Sequence, residues 1–196
     1  MVPPSDKTQS EEPQPEDPGA EAVLRDADLI WTPEQVAGAF DRLAKAVDET
    51  MRDRNPLVLA VMLGGMIPTA HLLTRLDFPF DIDYVHASRY RGATRGAELH
   101  WLARPSTSLA GRTVLVVDDI LDEGLTLAAV LDWCQKQEAQ DVRSLALVHK
   151  DHERKPSLKR ADFTGLVVPD RYVFGCGMDY HGRFRNLRGI YAVKGL

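Results

Sequence analysis

Two cysteines in 196 residues, Cys134 and Cys176, are too few for a disulfide framework and too far apart for a CxxC zinc pair. Both are expected to be reduced and structural. No stretch approaches the roughly 18 uninterrupted apolar residues that a membrane span needs. Residues 1–20 also lack the basic start and apolar middle of a secretory signal, so the expected compartment is the cytoplasm, with no membrane partner. A basic surplus is missing as well, since 24 Lys and Arg stand against 29 Asp and Glu. What is present, 44% hydrophobic and 27% charged residues, is the balance of an ordinary globular chain, which excludes collagen-like, coiled-coil and wholly disordered readings.

The negative charge is unevenly spread. Asp6, Glu11, Glu12, Glu16 and Asp17 against Lys7 alone put four of the five net negative charges into the first 20 residues. The same stretch holds five of the twelve prolines and no Leu, Ile or aromatic residue, so it cannot offset the entropy of ordering. Residues 1–20 are therefore expected to be a disordered acidic tail and residues 21–196 one folded domain. That domain is nearly neutral, which gives no electrostatic case for a nucleic-acid partner. Any phosphate it binds must be held locally.

Thr32-Pro33-Glu34-Gln35 is a capping box with proline at the first helical position, and Val36, Phe40, Leu43, Val47 and Met51 follow at helical spacing. Leu57 to Met62 is a continuous apolar run suited to a strand buried on both faces, broken at Gly64-Gly65 and followed by a helix over Pro68 to Leu76. Phe80 to Val85 alternates as a half-buried strand, and the polar segment Ser88 to His100 is expected to be mobile. Thr113 to Val117 is a second buried strand, interrupted by Asp118-Asp119 and followed by a helix from Leu125 to Gln137. Val142 to Val148 predicts another strand, His149 to Arg160 a basic connector, with short strands near Leu166 and Tyr172 and a closing piece at Ile190 to Val193. This alternation predicts an α/β domain on a mainly parallel sheet flanked by helices, whose ligands bind at the carboxyl ends of the strands.

The densest chemical signal lies at such an end, where Asp118, Asp119, Asp122 and Glu123 crowd into six residues. A buried carboxylate without a partner costs several kcal/mol, so the cluster is expected to open onto solvent, a cation or hydroxyl-rich ligand atoms. Adjacent acids suit the vicinal hydroxyls of a ribose, or water-bridged Mg²⁺. Asp122 to Thr126, through Gly124, leads into a helix N-terminus whose unpaired amides suit a phosphate. Together they read as a site for ribose 5-phosphate.

The thirteen residues from Val114 to Thr126 resemble the signature of the type I phosphoribosyltransferases: several hydrophobic residues, two acids, two hydrophobic residues, Asp, a variable residue, Gly, a variable residue and Thr. The resemblance extends over about Leu57 to Val193 and is to the hypoxanthine-guanine branch, which adds a small hood formed by terminal segments. It implies that Asp118 and Asp119 face the ribose hydroxyls of phosphoribosyl pyrophosphate, that Asp122, Glu123, Gly124, Leu125 and Thr126 wrap the 5-phosphate, and that Asp122 exchanges the proton on purine N7. Leu63, Gly64 and Gly65 match the pyrophosphate loop, often built on a strained peptide, and Arg185 an arginine that grips pyrophosphate. Lys150 matches a lysine on the purine 6-oxo group, Tyr172 the aromatic that stacks on the base, and Val173 a residue whose backbone pairs with the purine edge. Asp179 matches the acid that holds a second Mg²⁺ near pyrophosphate, beside the Mg²⁺ that Asp118 and Asp119 can hold. Ser88, Arg89 and Tyr90 match a mobile loop that closes over the reaction centre.

Two departures stand out. Leu63 replaces a frequent lysine, and Glu123 replaces a small hydroxyl residue, so Glu123 must point outward or reach a cation. The expected activity is transfer of phosphoribose to hypoxanthine or guanine, with Mg²⁺ as cofactor and phosphoribosyl pyrophosphate and a 6-oxopurine as partners. The alternatives are a transferase preferring xanthine or adenine, and a regulatory sensor of phosphoribosyl pyrophosphate that binds nucleic acid. The resemblance also implies a homo-oligomer, dimer or tetramer. Leu72, Leu73 and Trp101 are candidates for its interface or for the core.

Overall fold

A computed structural model of the chain describes residues 19–89 and 99–195. The expected acidic tail, apart from its last two residues, and Tyr90 of the expected loop lie outside these. Helix α1 (Ala20–Asp26) and strand β1 (Asp28–Trp31) lead to helix α2 (Pro33–Met51). The capping box forms as predicted: the Gln35 amide donates to Thr32 Oγ1 at 3.3 Å and the Thr32 amide to Gln35 Oε1 at 2.9 Å. All five predicted apolar positions of α2, Val36 to Met51, are buried.

Strand β2 (Leu57–Met62), helix α3 (Met66–Leu73), strands β3 (Asp81–Arg89), β4 (Leu99–Ala103) and β5 (Thr113–Leu121), helix α4 (Leu125–Lys136) and strands β6 (Asp141–Asp151) and β7 (Phe163–Pro169) follow. They build a six-stranded sheet in the order β4-β3-β2-β5-β6-β7, parallel except for β4. Side chains alternate along β5 as the pleat requires. Leu115 and Val117 pack with α2, whereas Val114 and Val116 pack with Leu127 and Val130 of α4. Helices therefore cover both faces, and the apolar runs of β2 and β5 are consumed by two cores. Leu72 belongs to one core, with Leu73 packed against it, and Trp101 packs against the other.

Strands β8 (Val173–Phe174) and β9 (Ile190–Ala192) pair antiparallel with β1 in a second sheet of order β1-β9-β8, the hood. Stacked Phe174 and Tyr191, 5.7 Å between centroids, lie within it. Trp31 Nε1 ties the hood to the main sheet by donating to the Val167 carbonyl at 3.0 Å.

Several predicted boundaries move. Helix α3 begins at Met66, against the glycine break, and β3 continues to Arg89. Strand β5 runs through Asp118-Asp119 because β6 keeps supplying backbone partners, pairing Asp118 with Ala146 and Leu121 with His149. For the same reason β6 extends to Asp151, aided by β7 on its other side, so Lys150 lies in a strand and not in a connector. Sequence β-propensity does not register a polar strand end held by neighbours on both sides.

Candidate active site

The chain order reverses at β2, which lies between β3 and β5, so a crevice opens beyond the carboxyl ends of β2 and β5. A cleft of about 510 Å³ occupies it, lined by Leu63 and Gly64 after β2, by residues 118–127, and by Asp179 and Arg185 from the hood side. Three segments distant in sequence thus share one cavity.

Asp118 and Asp119 are only 8% and 9% exposed. They line the cleft but are far less open to solvent than the sequence suggested, because glycines let the backbone close around them. A Cβ on Gly64 would lie 1.9 Å from Asp119 Oδ2, and one on Gly177 would meet the Gly64 carbonyl at 2.4 Å and Asp119 Cβ at 3.1 Å. Burial pushes the Asp118 carboxyl well above the usual carboxylate range, with the neighbouring Asp119 charge adding to it. Burial raises Asp119 too, opposed by hydrogen bonds and by Arg185. The local amides give partial relief, as the Asp119 N–H donates to Asp118 Oδ1 at 2.9 Å and the Ile120 N–H to Asp119 Oδ1 at 2.7 Å.

Arg185 bridges acids from two elements. Its guanidinium lies 2.5 Å from Asp179 Oδ1 and 3.9 Å from Asp119 Oδ2, and it donates to the Gly177 carbonyl at 2.6 Å. Among the described residues no group of three or more His, Cys, Asp or Glu is arranged to hold a metal ion. The donor set instead fits a hard cation that keeps most of its ligands as water and substrate oxygens, held through one or two carboxylates, as Mg²⁺ usually is. An under-compensated buried acid pair is the feature such an ion would satisfy.

Gly124 caps α4 at φ 76°, and a Cβ there would come within 2.3 Å of the Leu158 carbonyl, so the Asp122–Thr126 turn requires glycine on two counts. Glu123 is exposed, the outward placement that is one of the two expected for it, and Arg154 feels its charge. Asp122 is held quite differently from the acid pair. Lys150 Nζ donates to its Oδ2 at 2.6 Å, and His152 Nε2 lies 2.6 Å from its Oδ1. Partial burial opposes ionisation of Asp122, but these two partners outweigh it and hold the carboxyl below its ordinary range.

The remaining predicted residues divide. Leu63 is exposed at the cleft, follows a cis Met62–Leu63 peptide, and offers no charge there. Gly65 caps α3 behind the cleft. Tyr172 is partly exposed on the hood, with its hydroxyl donating to the Asp179 carbonyl at 3.3 Å, and Val173 is buried beside it. Ser88 and Arg89 end β3, whose preceding residue, Ala87, lines the cleft. His152 was missed by sequence reasoning. No local motif marks it; only the β5–β6 register, which pairs Leu121 with His149, brings the residues just past each strand end together.

The phosphoribosyl transferase domain family matches residues 32–181, and the chain belongs to that family. Among its relatives, the hypoxanthine-guanine-xanthine phosphoribosyltransferase of Tritrichomonas foetus is 32% identical over 85% of this chain and 91% of its own. The hypoxanthine-guanine phosphoribosyltransferase of Bacillus subtilis is also 32% identical, over 85% of this chain and 92% of its own. A solved hypoxanthine-guanine-xanthine phosphoribosyltransferase superposes with a TM-score of 0.79 at 30% identity, covering 87% of this chain and 99% of the other.

Proposed function

We propose that the protein transfers phosphoribose from phosphoribosyl pyrophosphate to N9 of a 6-oxopurine, releasing pyrophosphate. The observation that carries this reading is the sharing of one cleft by the buried acid pair, the Gly124 turn at the start of α4, and Arg185. Sugar hydroxyls donate to Asp118 and Asp119, which need donors. The 5-phosphate accepts from the amides of the 122–126 turn, aided by the Thr126 hydroxyl. Pyrophosphate lies against the Leu63–Gly64 backbone and Arg185, with Gly65 ending that loop as the cap of α3. The relatives' names support the choice of hypoxanthine and guanine as acceptors, and Lys150 supports it chemically, because an ammonium prefers the purine carbonyl to the amino group of adenine.

In the reaction the N9 lone pair forms the bond to C1′ while the C1′–oxygen bond breaks and its electron pair leaves on pyrophosphate. The proton on N7 passes to Asp122, which is ionised and therefore able to accept it. The acid pair faces the positive charge that develops on the sugar, and Arg185 faces the negative charge that develops on the leaving group. Mg²⁺ would be held through water and substrate oxygens by Asp118 and Asp119, with a second ion served by Asp179 near pyrophosphate, and would supply further neutralisation of the leaving group. Tyr172 and Val173 bound the base, and the segment Ser88, Arg89 and Tyr90 is the proposed cover.

Pyrophosphate release measured side by side with guanine, hypoxanthine, xanthine and adenine tests this. Turnover is expected with hypoxanthine and guanine and not with adenine. Turnover with none of the four overturns the reading, and a preference for xanthine would move the chain toward the three-base relatives.

A further inference from the structure

Both oxygens of Asp122 have side-chain partners, and the two partners are not equivalent. The His152 side chain is 4% exposed and the Lys150 side chain 12%, against 41% for Asp122. His152 is also braced. Its Nδ1 accepts the Arg154 amide at 3.0 Å, which leaves the ring proton on Nε2, pointing at Asp122 Oδ1. The surrounding backbone is clipped by the buried Lys155, whose ammonium donates to the carbonyls of Lys150 and His152. Arg154 in turn holds Asp170 through two hydrogen bonds of 2.7 and 2.8 Å. The imidazole therefore sits on a preassembled turn, whereas the ammonium of Lys150 ends a flexible stem.

The proposed chemistry asks Asp122 to release one of these partners. Purine N7 and the 6-oxo group are neighbours on one edge of the base, so a bound 6-oxopurine competes for Lys150 and presents its N7 proton to the oxygen that Lys150 leaves. We propose that His152 is a positioning residue that anchors Asp122 through Oδ1 while Lys150 exchanges Oδ2 for the purine carbonyl. This inference rests on the functional reading above. His152 does not relay the proton, because its second nitrogen is already engaged by the Arg154 amide; it keeps the accepting oxygen aimed once the lysine has turned away. Misalignment at this distance is costly, since displacing a reacting group by about 1 Å can lower a rate by about 10²-fold.

Steady-state kinetics of wild type, His152→Phe and His152→Gln test it. His152→Phe, which fills the space but cannot donate, is expected to lower kcat about 10-fold or more, with the KM for phosphoribosyl pyrophosphate within about threefold. His152→Gln, whose amide can reach the place of Nε2, is expected to recover kcat to within about threefold of wild type. Full kcat in His152→Phe would overturn the inference. A crystal structure of the wild type with a bound 6-oxopurine nucleotide gives an answer independent of variant folding. His152 should remain on Asp122 with Lys150 on the purine carbonyl, and the reverse arrangement overturns the inference. A wild type that turns over no 6-oxopurine sinks the functional reading and this inference with it, a signature distinct from wild-type and variant enzymes that are equally active.

Discussion

Asp119 and Asp122 lie three positions apart near the end of one strand, yet their carboxylates are in opposite states. The pair Asp118 and Asp119 is buried, self-repelling and pushed upward in proton affinity, while Asp122 is half-exposed, doubly paired and pushed downward. In the first environment local amides offset burial and repulsion only in part; in the second both carboxylate oxygens already have side-chain partners. On the proposed function, ligand binding at the acid pair would relieve a cost built into the fold, whereas binding at Asp122 would exchange one partner for another. A donor held tightly at one end and a base admitted by exchange at the other would follow from that difference.

The largest expected effect breaks the second half of the comparison. Asp122→Ala removes the proposed proton acceptor and leaves Lys150 and His152 facing an empty space, and turnover should fall by about 10²-fold or more. Unchanged turnover with a 6-oxopurine would remove Asp122 from the chemistry. Calorimetry with phosphoribosyl pyrophosphate and Mg²⁺ separates the two regions, since the acid pair is intact in this variant and binding heat should persist.

Gly64→Ala attacks the first half in turn. The added methyl would stand 1.9 Å from Asp119 Oδ2, where no real contact exists, so either the carboxylate or the turn after β2 must shift. Donor binding should weaken about 10-fold or more, in line with displacement of a positioned group, while the hydrogen bonds from Lys150 and His152 to Asp122 are undisturbed. Titration calorimetry reads the affinity. Wild-type affinity would mean that Asp119 is not confined as its packing indicates.

How much of this contrast was legible beforehand follows from the range of the interactions involved. The capping box at Thr32 and the apolar runs of β2 and β5 are local patterns, and each predicted its element; the acid cluster, equally local, marked the strand end where the cleft opens. The burial of Asp118 and Asp119 was not legible, because it depends on Gly64 and Gly177 closing from segments far away in sequence. The clamp on Asp122 was hidden for a similar reason. Lys150 and His152 reach it only because β6 runs on in register beside β5, and a polar strand end carries no hydrophobic period to announce itself. The hood was anticipated from the family resemblance, but the pairing of β1 with β9 joins residues at opposite ends of the chain, and no periodicity encodes it.

The smallest expected effect concerns stability, and its sign distinguishes the two environments. Asp118→Asn keeps an oxygen for the Asp119 amide and offers Asp119 a donor, while removing one of two buried charges. Because Asp118 binds its proton more tightly when folded, wild-type stability declines as pH rises above the unfolded carboxylate value of about 4. The variant escapes that decline, so its advantage should grow with pH and reach a thermal midpoint about 2–4 °C above wild type, the shift expected of ~1 kcal/mol in a chain of this size. Asp122→Asn has the opposite slope. Its lost carboxylate contributes stability above about pH 4 that disappears as pH falls through the lowered folded value, so its penalty should shrink in acid. Thermal unfolding of both variants and wild type across pH, in chelator so that no cation compensates the pair, gives the two slopes directly; parallel slopes would mean that the fold does not distinguish the two carboxylate environments.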